Sequence, residues 1–414
     1  MLLQINMNYF KKKYFYYFIF LFVSSIFIYI YLFSLKNIIN LWTYSEVHLN
    51  YSSGFVRRGL FGEIILFLSN LGIKSKESFS TIFFIFYLLN AFLFLNILKK
   101  FTDNVWLYIF FTFNPAFILF SFYDLGGYAR SEVFGIFLIL LHSCIYQNIL
   151  LKKISFKFYY FFYFIILYPF ILISFLLHEI NIFFIIFHLI TTYKIINFSN
   201  KINFKINILF SMPVVLLFTI FFWTFSQKIS QEMLLNIFNN LADKTNISIW
   251  IWEALLTPIS QRSEFAYMAK PFSNIIYYVA IIFFYLIPIL FFLNNLTRNT
   301  ANKFILLVLS IIPFIFLFFI ARDWGRWIHI IFIIIFCLYS QYIYKKPINF
   351  KLGKTYKIYL VIFFIFQIFF TRIPHCCNLV EKKISLIGGF SSKIVVFNDL
   401  INNKINVEER FKKF

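Results

Sequence analysis

The chain has 414 residues, of which 61% are hydrophobic and 24% aromatic, and a net charge of +22. Soluble domains average roughly 45–50% apolar residues. An excess spread along the whole chain excludes a single water-facing core and makes lipid the solvent for most of the surface. The positive charge lies in short loops between apolar runs, the pattern of membrane orientation and not of nucleic-acid binding.

Apolar runs of roughly 17–20 residues predict spanning helices. They fall at about 14–33, 82–98, 105–123, 133–151, 160–177, 180–195, 206–225, 275–293, 304–320, 328–344 and 358–370. Lys11-Lys12-Lys13 precede the first run and place the N-terminus in the cytoplasm. The run is too long for a signal peptide and no small-residue cleavage site follows it. Leu60–Ile73 is only about 14 residues long and holds Gly62, Glu63, Ser69, Asn70 and Gly72, which predicts a re-entrant or interfacial helix near 60–73. With that segment left out of the count, lysines at 99–100, 152–157, 194–205, 303 and 345–357 all fall in cytoplasmic loops. The expected fold is therefore all-α, a single polytopic domain over 1–370 with about eleven spans. Its C-terminus is outside, a polar tail occupies 371–414, and a long outer loop lies near 226–274.

The same topology turns nearly every acid outward, together with Arg57, Arg58, Arg130, Arg262, Arg322 and Arg326. Outward arginines oppose the positive-inside rule and need a reason. The first group is Gly54-Phe55-Val56-Arg57-Arg58-Gly59. Glycines admit close backbone approach, a helix beginning near Leu60 points its positive end there, and guanidinium groups grip phosphate with two prongs. The alternative is a pair of arginines anchoring an interfacial helix. Glu46 and His48 are near enough in sequence to join them. The second group is YDLGGYARSE, with Asp124, Arg130 and Glu132 around a Gly126-Gly127 turn, which also reads as a self-paired inter-helix turn. The third is His178-Glu179, alone in an apolar stretch from about 160 to 195 that demands a tight hairpin. Ionisable groups at such depth are expensive and mark function by default, though a helix-end pair satisfied by backbone is the alternative. The fourth is ARDWGRW, where Arg322, Asp323 and Arg326 lie between Trp324 and Trp327. Those rings suit either a membrane belt or stacking on a sugar. His142, His188 and His329 fall inside helices and read as structural.

Cys144, Cys337, Cys376 and Cys377 lack metal-ligand spacing, and neither a phosphate-binding loop, a dinucleotide fingerprint nor a zinc helix is present. No metal and no cofactor are expected. Arginines, carboxylates and tryptophans on one face suit an amphiphile with a lipid tail, a phosphate and a sugar. In such a site Arg57 and Arg58, with Arg130 and Arg326, neutralise the departing phosphate. Glu179, Asp124 or Asp323, with His178 as an alternative, supplies the base, and Trp324 and Trp327 hold the sugar.

In topology and composition the chain resembles the Wzy-type O-antigen or capsule repeat-unit polymerases, whose architecture belongs to the GT-C class of membrane glycosyltransferases. The resemblance implies a bacterial inner-membrane enzyme that joins polyprenyl-pyrophosphate-linked oligosaccharides at the outer face. Flippase and chain-length-regulator proteins and membrane lipids would be its partners. An alternative is a GT-C enzyme using a polyprenyl-phosphate sugar, a class that keeps an essential acid in the first outer loop, where this chain has Glu46 and Glu63. A non-enzymatic transporter is the third class, disfavoured by helix interiors nearly free of charge.

Overall fold

The computed structural model describes residues 9–36, 41–102, 104–124, 127–198, 216, 218–220, 223, 229–241, 244, 247–256, 276, 278–286, 308–309, 311–315, 317–318, 323–341, 354–371 and 373. Among them the regular elements are helices. Five stretches are long and apolar enough to cross a membrane: Tyr14–Lys36, Ser75–Phe101, Glu132–Leu150, Phe156–Leu177 and Glu179–Phe198. The chain is thus an all-α protein with the helices of a multi-pass membrane protein.

Helix α1 (Tyr9–Lys36) is followed by short α2 (Leu41–Glu46), α3 (Gly59–Asn70) and the long α4 (Ser75–Phe101). Ring contacts of Phe20 with Phe92, Phe27 with Tyr87 and Tyr31 with Phe84 show α1 and α4 running antiparallel. Glu77 in the first turn of α4 and Lys99 and Lys100 in its last suit the helix macrodipole. The 12-residue α3 is too short to span and folds back along the first half of α4, Phe61 on Phe83 and Ser69 on Ser75.

The span expected at 105–123 is not continuous. Asn104 caps α5 (Val105–Phe113) by accepting from the amides of Trp106 and Leu107. Pro115 then ends the helix, because the residue before a proline is forced extended; Asn114 has ψ 131°. A turn and the four-residue α6 (Phe120–Tyr123) follow, and the Tyr123 hydroxyl donates to the orphaned Phe113 carbonyl. Helix α7 (Glu132–Leu150) runs parallel to α4, with Asn90 bonded to the Val133 carbonyl and Lys100 to Asn148.

Residues 156–177 form α8 (Phe156–Phe162), a π turn at Tyr163–Leu167 and α9 (Tyr168–Leu177). Pro169 cannot donate to the preceding turn, and the widened π turn just before it accommodates its ring. His178 adopts φ −161° and ψ 122°, a 3₁₀ turn covers Glu179–Phe184, and α10 (Ile185–Phe198) returns antiparallel. Its Thr192 hydroxyl lies 2.8 Å from that of Tyr159, confirming the hairpin. At Gly135 of α7 a Cβ would lie 1.9 Å from the Phe184 ring, so only glycine lets α7 and the 3₁₀ turn approach this closely.

Within the expected long loop, α11 (Gln231–Asn239) and α12 (Ile249–Leu256) pack on the segment between α2 and α3 through Leu49, Val56, Ile237 and Trp252. Finally α13 (Trp324–Ser340) fits against α7 and α4, and α14 (Lys354–Phe370) against α5 through Phe110 and Phe364. Both are 17-residue apolar helices in place of the spans expected at 328–344 and 358–370. The expected spans at 206–225, 275–293 and 304–320 are described only in part, the described residues in them being helical, and nearly all of the tail over 371–414 lies outside the described residues.

Candidate functional site

Five segments meet at one end of this bundle: the end of α2, the starts of α3, α7 and α13, and the break at His178. The loop from Val47 to Arg58 is held by two close contacts. Gly62 of α3 lies under the Leu49 carbonyl, where a Cβ would stand 1.8 Å from the oxygen. The Glu63 carboxylate accepts from the Tyr51 amide at 2.5 Å. Arg58 takes the left-handed conformation at φ 66°, which is strained for a residue with a Cβ and aims its side chain into the bundle.

Arg58 grips both oxygens of Glu179, from Nε at 2.7 Å and from Nη2 at 2.5 Å, while its Nη1 reaches Glu46 at 2.8 Å. Arg326 donates to Glu132 at 2.6 Å and to Asp323. Arg130 stands 3.9 Å from the second oxygen of Glu46. His178 joins the two halves, its Nε2 3.4 Å from Glu46 and 3.9 Å from Glu132. The Ile180 amide donates to His178 Nδ1, so the neutral ring carries its proton on Nε2, facing Glu46. Arg57, next to this group, donates to the Leu255 carbonyl of α12 at 3.4 Å. Trp252 of α12 donates to the Ser45 carbonyl at 2.6 Å, so the long-loop helices cover the arginine loop.

All these side chains but one are at most a tenth exposed; Asp323 is 22% exposed and is the most accessible acid. Charges at such depth cost several kcal/mol each unless paired. Arg57, Arg58, Arg130 and Arg326 give +4, and Glu46, Glu132, Glu179 and Asp323 give −4, so the formal sum is zero. Glu132, Glu179 and Asp323 also stand at helix starts, where the macrodipole favours anions. Burial alone would lower Arg58, but Glu179 and Glu46 outweigh it and hold its pKa above the usual range. Burial, aided by the neighbouring Arg58, lowers Arg57; burial, aided by Arg326, lowers Arg130. Burial and Arg58 hold the His178 imidazole below its ordinary value.

Of the residues singled out in the sequence, Arg58, Arg130, His178, Glu179, Asp323 and Arg326 thus meet in one cluster, with Arg57 beside it. Asp124 is buried upstream of Arg130, its carbonyl closing the turn at Gly127. Trp327 is completely enclosed, with the Arg326 guanidinium 4.9 Å over its ring, and Trp324 packs on Tyr278 and Phe318. Both rings serve packing in this conformation. Arg262 and Arg322 lie outside the described residues. Glu46 and Glu132 carry more of the cluster than the sequence indicated. The partner of Glu132 is 194 positions away, a distance that leaves no local signal.

A cavity of about 40 Å³ opens beside Arg130, Glu132 and Arg326, lined also by Asn90 and His329. Among the described residues no group of three or more His, Cys, Asp or Glu is placed to hold a metal ion. A separate buried polar group joins His142 to His188 at 3.0 Å and to the Tyr159 hydroxyl at 3.1 Å, deeper between α7, α8 and α10. No protein-family model, curated protein or solved structure matches the chain.

Proposed function

We propose that this chain is a multi-pass membrane glycosyltransferase that joins polyprenyl-pyrophosphate-linked oligosaccharide repeat units into O-antigen or capsular polysaccharide. The reaction would take place at the outer face of a bacterial cytoplasmic membrane. The observation that carries this reading is the buried cluster of Arg58, Arg130 and Arg326 with four acids, Arg57 beside it, drawn from five distant segments to one end of the bundle. The lysines support the assignment of sides. Lys99, Lys100, Lys152, Lys153 and Lys194 belong to the opposite ends of α4, α7 and α10, whereas Lys36, Lys74 and Lys76 are exceptions at the cluster end.

The roles we assign within the cluster are uneven. Arg58 is saturated by Glu179 and Glu46 and acts as a lock. Arg57, in the loop beside this lock and donating to the Leu255 carbonyl at 3.4 Å, is the guanidinium we assign to the lipid phosphate. As the bond between the sugar's anomeric carbon and the phosphate oxygen breaks, the charge on the leaving pyrophosphate develops against Arg57. Asp323, the most exposed of the four cluster acids, accepts the proton of the acceptor hydroxyl as that oxygen bonds the anomeric carbon. Both oxygens of Glu179 are engaged by Arg58, and both His178 nitrogens face partners, which makes either a poorer base.

The test is transfer by the purified full chain in nanodiscs, supplied with a polyprenyl-pyrophosphate-linked oligosaccharide and read as product length. Lengthening that is lost in Arg57→Ala and Asp323→Asn supports the proposal; a folded wild-type protein that leaves the donor unchanged rejects it. A second reading, transfer from a polyprenyl-monophosphate sugar, draws on Glu46. This first-loop acid lies at the centre of the cluster, within reach of Arg58, Arg130 and His178. Turnover of the monophosphate donor alone would select it.

A further inference from the structure

The two sides of the cluster differ in how their hydrogen bonds are met. On one side Arg58 spends three donors on carboxylates. On the other, the Nε of Arg130 and the Nε of Arg326 are buried without a hydrogen-bond partner. So are Oε2 of Glu132 and Oδ1 of Asn90. The Asn90 amide is oriented by its donation to the Val133 carbonyl at 3.1 Å, which leaves the oxygen over. All four residues are more than nine-tenths buried, and all four line the 40 Å³ cavity. Buried polar atoms in folded proteins are nearly always satisfied, so these four unmet ones, with the Ser121 hydroxyl a fifth on the same wall, mark a place that a ligand completes.

Their chemistry says which ligand. Of the four, two are N–H donors and two are acceptor oxygens, one of them anionic, and the Ser121 hydroxyl beside them can act as either. A phosphoryl group would satisfy the donors but would press its oxygens on a carboxylate and an amide oxygen. A hydroxyl both donates and accepts, and two adjacent hydroxyls match two donors with two acceptors. The size agrees, since a water needs ~10–15 Å³ of such space and the cavity takes about three. That is room for the hydroxyl edge of one ring and not for a sugar together with a phosphate.

We propose that this cavity is a subsite for the hydroxyl edge of a neutral sugar. Glu132 Oε2 and Asn90 Oδ1 accept from its hydroxyls, and the Nε–H groups of Arg130 and Arg326 donate to them. The inference rests on the sugar-lipid reading for its natural ligand, and it moves Arg130 and Arg326 from the phosphate to the sugar. Arg57 alone then faces the phosphate.

The experiment titrates the full-length protein in nanodiscs with the methyl glycosides of glucose, galactose and N-acetylglucosamine, and separately with inorganic pyrophosphate, by saturation-transfer NMR. Wild type binds at least one glycoside. Glu132→Gln, which keeps the shape but loses the anionic acceptor, weakens that glycoside about tenfold. Val133→Ile adds a methyl group at the cavity wall with every charge in place and weakens it comparably, so the test survives if Glu132→Gln fails to fold. Pyrophosphate affinity stays within about twofold in both variants. Equal glycoside binding by wild type and variants, or none by wild type, overturns the subsite. So does a change confined to pyrophosphate, which would make the cavity an anion site. If glycosides behave as expected while pyrophosphate never binds, the subsite stands and the lipid-pyrophosphate donor falls.

Discussion

Replacing Glu179 by glutamine separates a structural lock from a catalytic base. In the native protein both carboxylate oxygens accept from Arg58, at 2.7 and 2.5 Å, in surroundings where the Glu179 side chain is 10% exposed. Glutamine keeps the volume and one acceptor but turns a donor toward the guanidinium. The cluster's formal charges then change from +4 and −4 to +4 and −3. Breaking a buried ion pair costs about 3–5 kcal/mol, and the surviving neutral hydrogen bond returns about 1 kcal/mol. The expected loss is therefore about 2–4 kcal/mol of unfolding free energy, measured by denaturant titration in mixed micelles. Arg58→Leu costs at least as much, because it leaves Glu179 and Glu46 both uncompensated. The double variant with Glu179→Gln then costs less than the sum of the singles by about 2–3 kcal/mol. Additive singles, or a Glu179→Gln loss under about 1 kcal/mol, would refute the lock.

Gly62→Ala should cost about 3 kcal/mol or more, since its Cβ would sit 1.8 Å from the Leu49 carbonyl and the loop cannot retreat without opening the cluster. A circular-dichroism melt unchanged from wild type would contradict that contact. Arg57→Ala and Arg57→Lys should both keep the protein folded yet lose transfer, the lysine because it cannot make a two-pronged grip. Full activity in the lysine variant would return the site to simple charge. His178 is neutral in the fold and its imidazole is held below its usual range, whereas the unfolded chain takes up that proton near pH ~6.5. Its contribution is therefore complete above that pH and declines as pH falls below it. His178→Gln should lessen the fall in stability between about pH 6.5 and 5; an identical slope in wild type and variant would remove His178 from the cause.

The helices were legible because lipid imposes them. Apolar runs near membrane length at 14–33, 82–98, 133–151, 160–177 and 180–195 became helices with ends shifted by a few residues. The run at 105–123 misled, because hydropathy does not register the conformational veto of Pro115, which ends α5 after nine residues. The polar groups stood out for the same reason as the spans: in an apolar chain each charge is conspicuous and expensive. Hence Arg57-Arg58, Arg130, His178-Glu179 and the Asp323–Arg326 group were visible. Glu46 and Glu132 were seen but undervalued, since a carboxylate near a helix end has an innocent local explanation. The enclosure of Trp327 was not legible for the converse reason: flatness and polarity are local, enclosure is not.

The long apolar runs by themselves determined that this chain would form helices of membrane-crossing length, because a backbone in apolar surroundings must bond to itself and runs of that length do so as helices. Order along the chain also determined which ionisable groups would need partners. Which partners they found was decided only in three dimensions. Arg58 with Glu179 joins positions 121 apart, and Arg326 with Glu132 positions 194 apart. Coulomb attraction acts through space at a few ångströms, and contact at that range follows from how α3, α7, the 3₁₀ turn and α13 dock, a matter of close approach at Gly62 and Gly135 and not of charge pattern.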